Sequence, residues 1–130
     1  MNSIINEFQK VVFNTLNNID NLNIYSCPRK NSNFPYLVMS VSNVTLENNF
    51  HCDNYFINLS ISLYDKNESN LNIINLSKKV KDLLISLSNN KQEIFIIVDV
   101  NLNNMTNILF NDVNSVWNTT INFNITLREY

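Results

Sequence analysis

The sequence contains no glycine and no alanine, and only two prolines, two cysteines, one histidine and one tryptophan. Without glycine, neither the phosphate-cradling loop of nucleotide hydrolases nor the dinucleotide fingerprint can be built. Turns that need a positive φ must use Asn or Asp, the next most tolerant residues. Cys27 and Cys52 are too few for a disulfide framework, and no paired Cys-x-x-Cys exists for zinc. Charge is also scarce: nine Lys plus Arg against eleven Asp plus Glu, a net charge of -2. An electrostatically driven nucleic-acid binder would carry a basic patch, which this balance argues against. No apolar run approaches the roughly 20 residues that span a bilayer, so no membrane partner is expected. Met1 to Phe8 lacks the basic and apolar regions of a signal peptide, so the expected compartment is the cytosol.

What is present is 130 residues, 45% of them hydrophobic, the size of one ordinary domain with a single core, residues 1–130. Asparagine occurs 29 times. Asn, Ile, Lys, Phe and Tyr draw on A- and T-rich codons, and Gly and Ala do not, so the bias reads as that of an AT-rich coding sequence rather than a functional asparagine array. Asn-x-Ser/Thr triplets such as Asn43-Val44-Thr45 follow from that frequency. Apolar residues are interleaved with clear periods throughout, which excludes an asparagine-rich disordered segment.

Ile4, Ile5, Phe8, Val12, Leu16 and Ile19 recur at spacings of three and four, which predicts a first helix ended by Asn17 to Asn21. A short strand at Leu22 to Tyr25 follows. Pro35 forces Phe34 into an extended conformation and opens a second strand, Tyr36 to Glu47. Tyr55 to Tyr64 alternates Tyr55, Ile57, Leu59, Ile61 and Leu63 with mostly polar residues, a strand buried on one side. Ile73, Leu76, Val80, Leu83, Leu84 and Leu87 form the stripe of a second helix from about Ser69 to Ser88, with Asp65 and Glu68 placed to cap its start. Glu93 to Leu102 and Ser115 to Arg128 are the closing strands. In the first of these, Ile94, Ile96, Val98, Val100 and Leu102 share a face opposite Asp99. The order α-β-β-β-α-β-β has no regular βαβ alternation. It predicts an α+β fold: a mainly antiparallel sheet of four to five strands with two helices packed on one face.

Catalytic and metal-binding patterns are sparse. His51, Cys52 and Asp53 are consecutive in a turn, where adjacent side chains diverge, and no second ligand pair exists. Ser60 and Ser62 have no base partner in sequence, so no catalytic, cofactor-binding or metal residues are assigned and no enzyme is expected. Lys78, Lys79 and Lys81 read as a solvated helix face. Two features point instead to contacts between chains. Asp99, a charge in mid-strand, suits an edge or subunit-facing position. The segment Asn103 to Asn114 carries Met105, Ile108, Leu109 and Phe110, and it is either a flap over the sheet end or an arm for a neighbouring subunit.

The run Phe34-Pro35-Tyr36-Leu37-Val38-Met39 resembles the opening of the first long strand in the tail completion, or tail terminator, family of long-tailed phages and gene transfer agents. Leu59-Ser60-Ile61-Ser62-Leu63-Tyr64-Asp65, the helix Ile74 to Leu84 and the closing strand through Ile121-Asn122-Phe123-Asn124-Ile125 follow in the same order. The resemblance spans nearly the whole chain. This sequence departs from the family in lacking small residues in the second helix and glycine in its turns. The resemblance implies a structural protein that forms a hexameric ring on the last ring of a tail tube. The ring stops tube growth and joins the tail to the head-tail connector protein. DNA only passes through its channel. Tail tube protein, connector protein and further copies of the chain are the implied partners, with assembly in the bacterial cytoplasm and then residence in the virion neck. The alternatives are another neck component, a head-closure or adaptor protein, or a small α+β ligand-binding domain.

Overall fold

A computed structural model describes residues 2–26, 33–48 and 52–130. Among them the chain forms helix α1 (Asn2–Leu16), strands β1 (Asn23–Tyr25), β2 (Tyr36–Asn48) and β3 (Asp53–Asp65), helix α2 (Leu71–Ile85), and strands β4 (Asn90–Lys91), β5 (Phe95–Met105), β6 (Leu109–Asn111) and β7 (Val116–Glu129).

The strands make one sheet in the order β1-β2-β3-β7-β5-β4, with β6 pairing to β7 beyond the end of β5. The α+β class and the order of long elements agree with the sequence reading, but the sheet is larger and mixed. β1 runs parallel to β2, pairing Asn23 with Tyr36 and Tyr25 with Val38. β4 and β6 are two and three residues long, too short for a two-residue period to register in the sequence.

One apolar row dictates the layering. Tyr55, Ile57, Leu59, Ile61 and Leu63 of β3 pair across to Leu127, Ile125, Phe123, Ile121 and Thr119 of β7. The apolar members of this row are buried. Alternation puts them all on one face, and that face receives both helices. α1 contributes Ile4, Phe8, Val12 and Leu16, and α2 contributes Ile73, Leu76, Val80 and Leu84, to the same cluster. Ser77, buried within α2, satisfies its hydroxyl by donating to the Ile73 carbonyl at 2.7 Å.

Turns follow the constraint set by missing glycine. Asn21 and Asn89 take φ of 60° and 65°, the left-handed region that asparagine tolerates best after glycine. Ser115 departs from the expectation that only Asn or Asp would take such positions, with φ 58° before β7.

Two expectations are corrected. α2 does not use Asp65 or Glu68 as a cap: its N-cap is Asn70, with no side-chain cap bond, and the Ser69 hydroxyl accepts from the Leu71 amide at 3.4 Å. The face assignment in β5 also changes. Bulges fall between Ile97 and Asp99 and between Leu102 and Asn104, so alternation slips by one residue at each. Phe95, Ile97, Val100, Leu102 and Met105 therefore share the helix-side row, while Ile96 and Asp99 lie on the opposite face. Cys27 and His51 lie outside the described residues.

Phe123 is fully buried at the centre of the row. Phe123→Ala is expected to lower folding stability by about 3–5 kcal/mol, read as a drop in the urea midpoint at unchanged slope.

Candidate interaction surface

The face of the sheet away from the helices is mostly polar, with Glu47, Asp99 and Arg128 as its charges and Phe56 exposed among the amides and hydroxyls. Across it run Ser40, Ser60, Asn122 and Asn104 in one row, and Asn43, Asn58, Asn124 and Asn101 in the next. The rows are knitted by side chains. Ser60 Oγ donates to Asn122 Oδ1 at 2.6 Å, and Asn122 Nδ2 donates to Asn104 Oδ1 at 2.6 Å. The Ser62 and Thr120 hydroxyls lie 3.1 Å apart. Arg128 Nε donates to Asn54 Oδ1 at 3.1 Å. Amide and hydroxyl groups can each donate and accept, so all but the Arg128 contact are made between uncharged groups.

An aromatic group closes one end of this face. Tyr36 stacks on Tyr64 with centroids 4.8 Å apart, and Phe34 and Tyr25 flank Tyr36 at 5.2 Å and 5.9 Å. Burial first, then the phenols of Tyr64 and Tyr25, raises the Tyr36 pKa above its ordinary value. At the other end of β3, burial and then a 2.9 Å hydrogen bond donated to Glu129 Oε2 raise that of Tyr55.

The segment singled out as flap or arm is a β-ribbon. Met105 closes β5 opposite Ile121. Ile108 is half-buried and packs against the core. Leu109 and Phe110 are exposed on β6, and Val113 in the following turn is 96% exposed. Phe110 lies against Trp117 with centroids 4.6 Å apart. Trp117 Nε1 donates to the Asn67 carbonyl at 3.1 Å. Asp65, buried and aligned with the helix-side row of β3, accepts from Asn67 Nδ2 at 2.7 Å and from Asn72 Nδ2 at 3.1 Å. The carboxylate assigned to capping thus fixes the α2 entry loop against the ribbon. Asp99 is half-buried opposite Thr126, beside the first bulge of β5. The structure places Met105, Leu109 and Phe110 along one border of the sheet, Asp99 further along that border on the polar face, and Ile108 inward.

Both borders of the sheet are open over long stretches. Beyond Val38 no described strand pairs with the outer edge of β2. On the opposite side β4 covers β5 only at Ile96 and Ile97, and the Ser88 hydroxyl accepts from the Val100 amide at 3.0 Å. From Asn101 onward that border is bare among the described residues. Sequence reasoning missed these borders, because an open edge is defined by which strands fail to pair and no local pattern records that.

The hollows are surface grooves. One of about 510 Å³ between α1 and β2 is lined by Asn6, Gln9, Lys10, Phe13, Asn14 and Met39. Its ionisable group, Lys10, is paired with Glu7 at 3.1 Å. Among the described residues no three His, Cys, Asp or Glu side chains gather where a metal could sit, and no helix is long and apolar enough to cross a membrane.

The fold is similar to that of a chain in the "Virion of native gene transfer agent (GTA) particle". The TM-score is 0.72 at 10% identity, over 90% of this chain and 91% of that one. The likeness is one of fold. No family model and no curated protein matches the sequence.

Two outcomes are expected from this geometry. Asp65→Ala strands two amide donors and is expected to cost about 1–3 kcal/mol, with a red shift of Trp117 fluorescence as the α2 entry loop loosens. Tyr36 is protonated in the fold, and its native pKa is raised, so its stabilising contribution is complete below the ordinary value of 10.0 and is lost as pH climbs through the native value. Urea midpoints measured upward from pH 10.0 are expected to fall less steeply in Tyr36→Phe than in the native chain.

Proposed function

We propose that this chain is a virion assembly protein of the tail terminator type. It forms a ring, hexameric in the family it resembles, that caps a phage-like tail tube and joins it to the head-tail connector. The observation that carries the reading is the whole-length likeness of fold to a chain of a gene transfer agent particle. The sequence resemblance to tail completion proteins covers the same elements in the same order. Support comes also from what the surface offers: two open sheet borders, and an exposed ribbon carrying Leu109 and Phe110.

The polar face suits a channel wall. Its rows of Ser, Thr and Asn carry few cations, so a passing duplex would make few of the phosphate contacts that produce tight binding. The chain acts by contact with copies of itself, with tube protein and with connector protein, and performs no catalysis. It assembles in the bacterial cytoplasm and stays in the particle neck.

Electron microscopy of the purified protein mixed with tail tube subunits tests this. The expected images show a ring at one end of each tube and tubes that cease to lengthen. Tubes that lengthen unaltered, with the protein bound instead to connector rings alone, would point to a head-closure or adaptor role. A protein that binds neither would sink the virion reading.

A further inference from the structure

We propose that the ring closes by β-sheet continuation: the free edge of β2 in one copy pairs antiparallel with the β5–β6 border of the next, displaced by four ladder positions. This rests on the ring reading above and assigns it an interface.

The two borders match in length. Measured on β7, the part of β2 left open among the described residues runs from the level of Ile121, where Met39 sits, to that of Glu129, where Asn48 sits. The open part of the other border runs from the level of Asn124, opposite Asn101, to that of Val116, opposite Asn111. Each border thus spans the same number of ladder positions. Their obstructions sit at opposite ends, β1 on one border and β4 with Ser88 on the other. Neither border carries Lys, Arg or Pro among the described residues; the one charge is Glu47 on β2, and each border has one bulge.

Direction and facing also match. β2, β3, β7 and β5 alternate in direction, so β5 of one copy meets β2 of a rotated copy antiparallel, and the same step repeats around a closed ring. An even displacement keeps the helix side of both copies on one side. A displacement of four is the smallest even one that clears β4, and it uses nearly all of both borders. It leaves only Asn48 opposite Val100, whose amide Ser88 already takes. It sets Leu46 against Leu102, Val44 against Met105 and Met39 against Phe110 on the helix side. On the polar side it sets Thr45 against Asn104. Leu46, Leu102, Met105 and Phe110 are 40%, 41%, 40% and 42% exposed in the single chain, and all four would be covered by this pairing. Four residues of stagger, about 13 Å, over four strands, about 19 Å, incline the strands by about 35°, within the tilt of closed barrels.

The test is disulfide trapping in a Cys27→Ser/Cys52→Ser background, with native mass spectrometry reporting the oligomer independently. Leu46→Cys combined with Leu102→Cys is expected to give, on oxidation, a ladder of dimer, trimer and higher species, while each single variant stays uncrosslinked. A dimer from either single variant would mean two-fold pairing and overturn the proposal. A ladder from Leu46→Cys with Met105→Cys instead would overturn the displacement of four. Rings in the mass spectrum with no ladder would overturn edge pairing and leave the ring reading standing. A monomer at every concentration, without any ladder, would overturn both. Val44→Lys, confirmed as folded by circular dichroism, is expected to abolish the oligomer, and its continued assembly would count equally against the proposal.

Discussion

One-sided burial of β3 and β7 is the constraint on which the rest of the molecule depends. These two strands are paired along both edges and carry the fully buried Ile61, Ile121, Phe123 and Leu127. Burying such a row relative to water contributes on the order of 2 kcal/mol per side chain, and both helices are consumed in covering it. Among the described residues no element is left for the opposite face. That face therefore has to satisfy its polar groups laterally, as the Ser60–Asn122–Asn104 chain does. An asparagine-rich composition serves this well, because an amide can donate to one neighbour and accept from another without charge. The same composition would fail on the helix side, and among the described residues no asparagine is buried: the buried polar side chains are Asp65, Ser77 and Thr119.

The borders of the sheet follow from how the short strands are placed. β1 and β4 occupy diagonally opposite corners, each covering two or three residues of a much longer neighbour. Bulges near Ser42 in β2 and near Val98 and Asn103 in β5 interrupt the ladder on the two outermost long strands. Bulges increase local twist and bend the strand that carries them. The bulges thus add twist at both borders, which the proposed ring would use in closing the sheet on itself.

Much of the fold was legible in the sequence, and the reasons divide by residue. The Tyr55 to Leu63 alternation and the Ile4 to Leu16 stripe were readable because burial on one side imposes a strict period. In β5, Val100, Leu102 and Asp99 were placed correctly. The first half of that strand was read in the wrong phase because a bulge inserts a residue without any change of composition: Val98 and Val100 look like neighbours in one row, yet only Val100 joins the core. Asp65 was read as a cap because it precedes a helix, whereas its partners are Asn67 and Asn72 and its burial comes from long-range packing. For the candidate surface, Met105, Leu109 and Phe110 stood out as apolar residues in a polar stretch, and they do lie along one border. Ile108 stood out equally and packs inward, since composition does not tell which side of a ribbon a residue takes. The β2 border had no signature of its own.

Low charge bears on how such a protein finds its neighbours. A net charge of -2 on 130 residues produces little self-repulsion, so copies can approach closely. It equally supplies little electrostatic steering, and in the proposed ring the choice of register between copies would fall to shape and to the sorting of apolar from polar residues on the two sides of each edge. That sorting comes from the same constraint that built the core, since Leu46, Leu102 and Met105 continue the helix-side rows outward past the helices that cover them. The apolar pattern that fixes the inside of one chain therefore extends to its borders. A sheet whose rows stop only where the chain runs out of strands presents an unfinished core, and a further copy carries rows that can complete it.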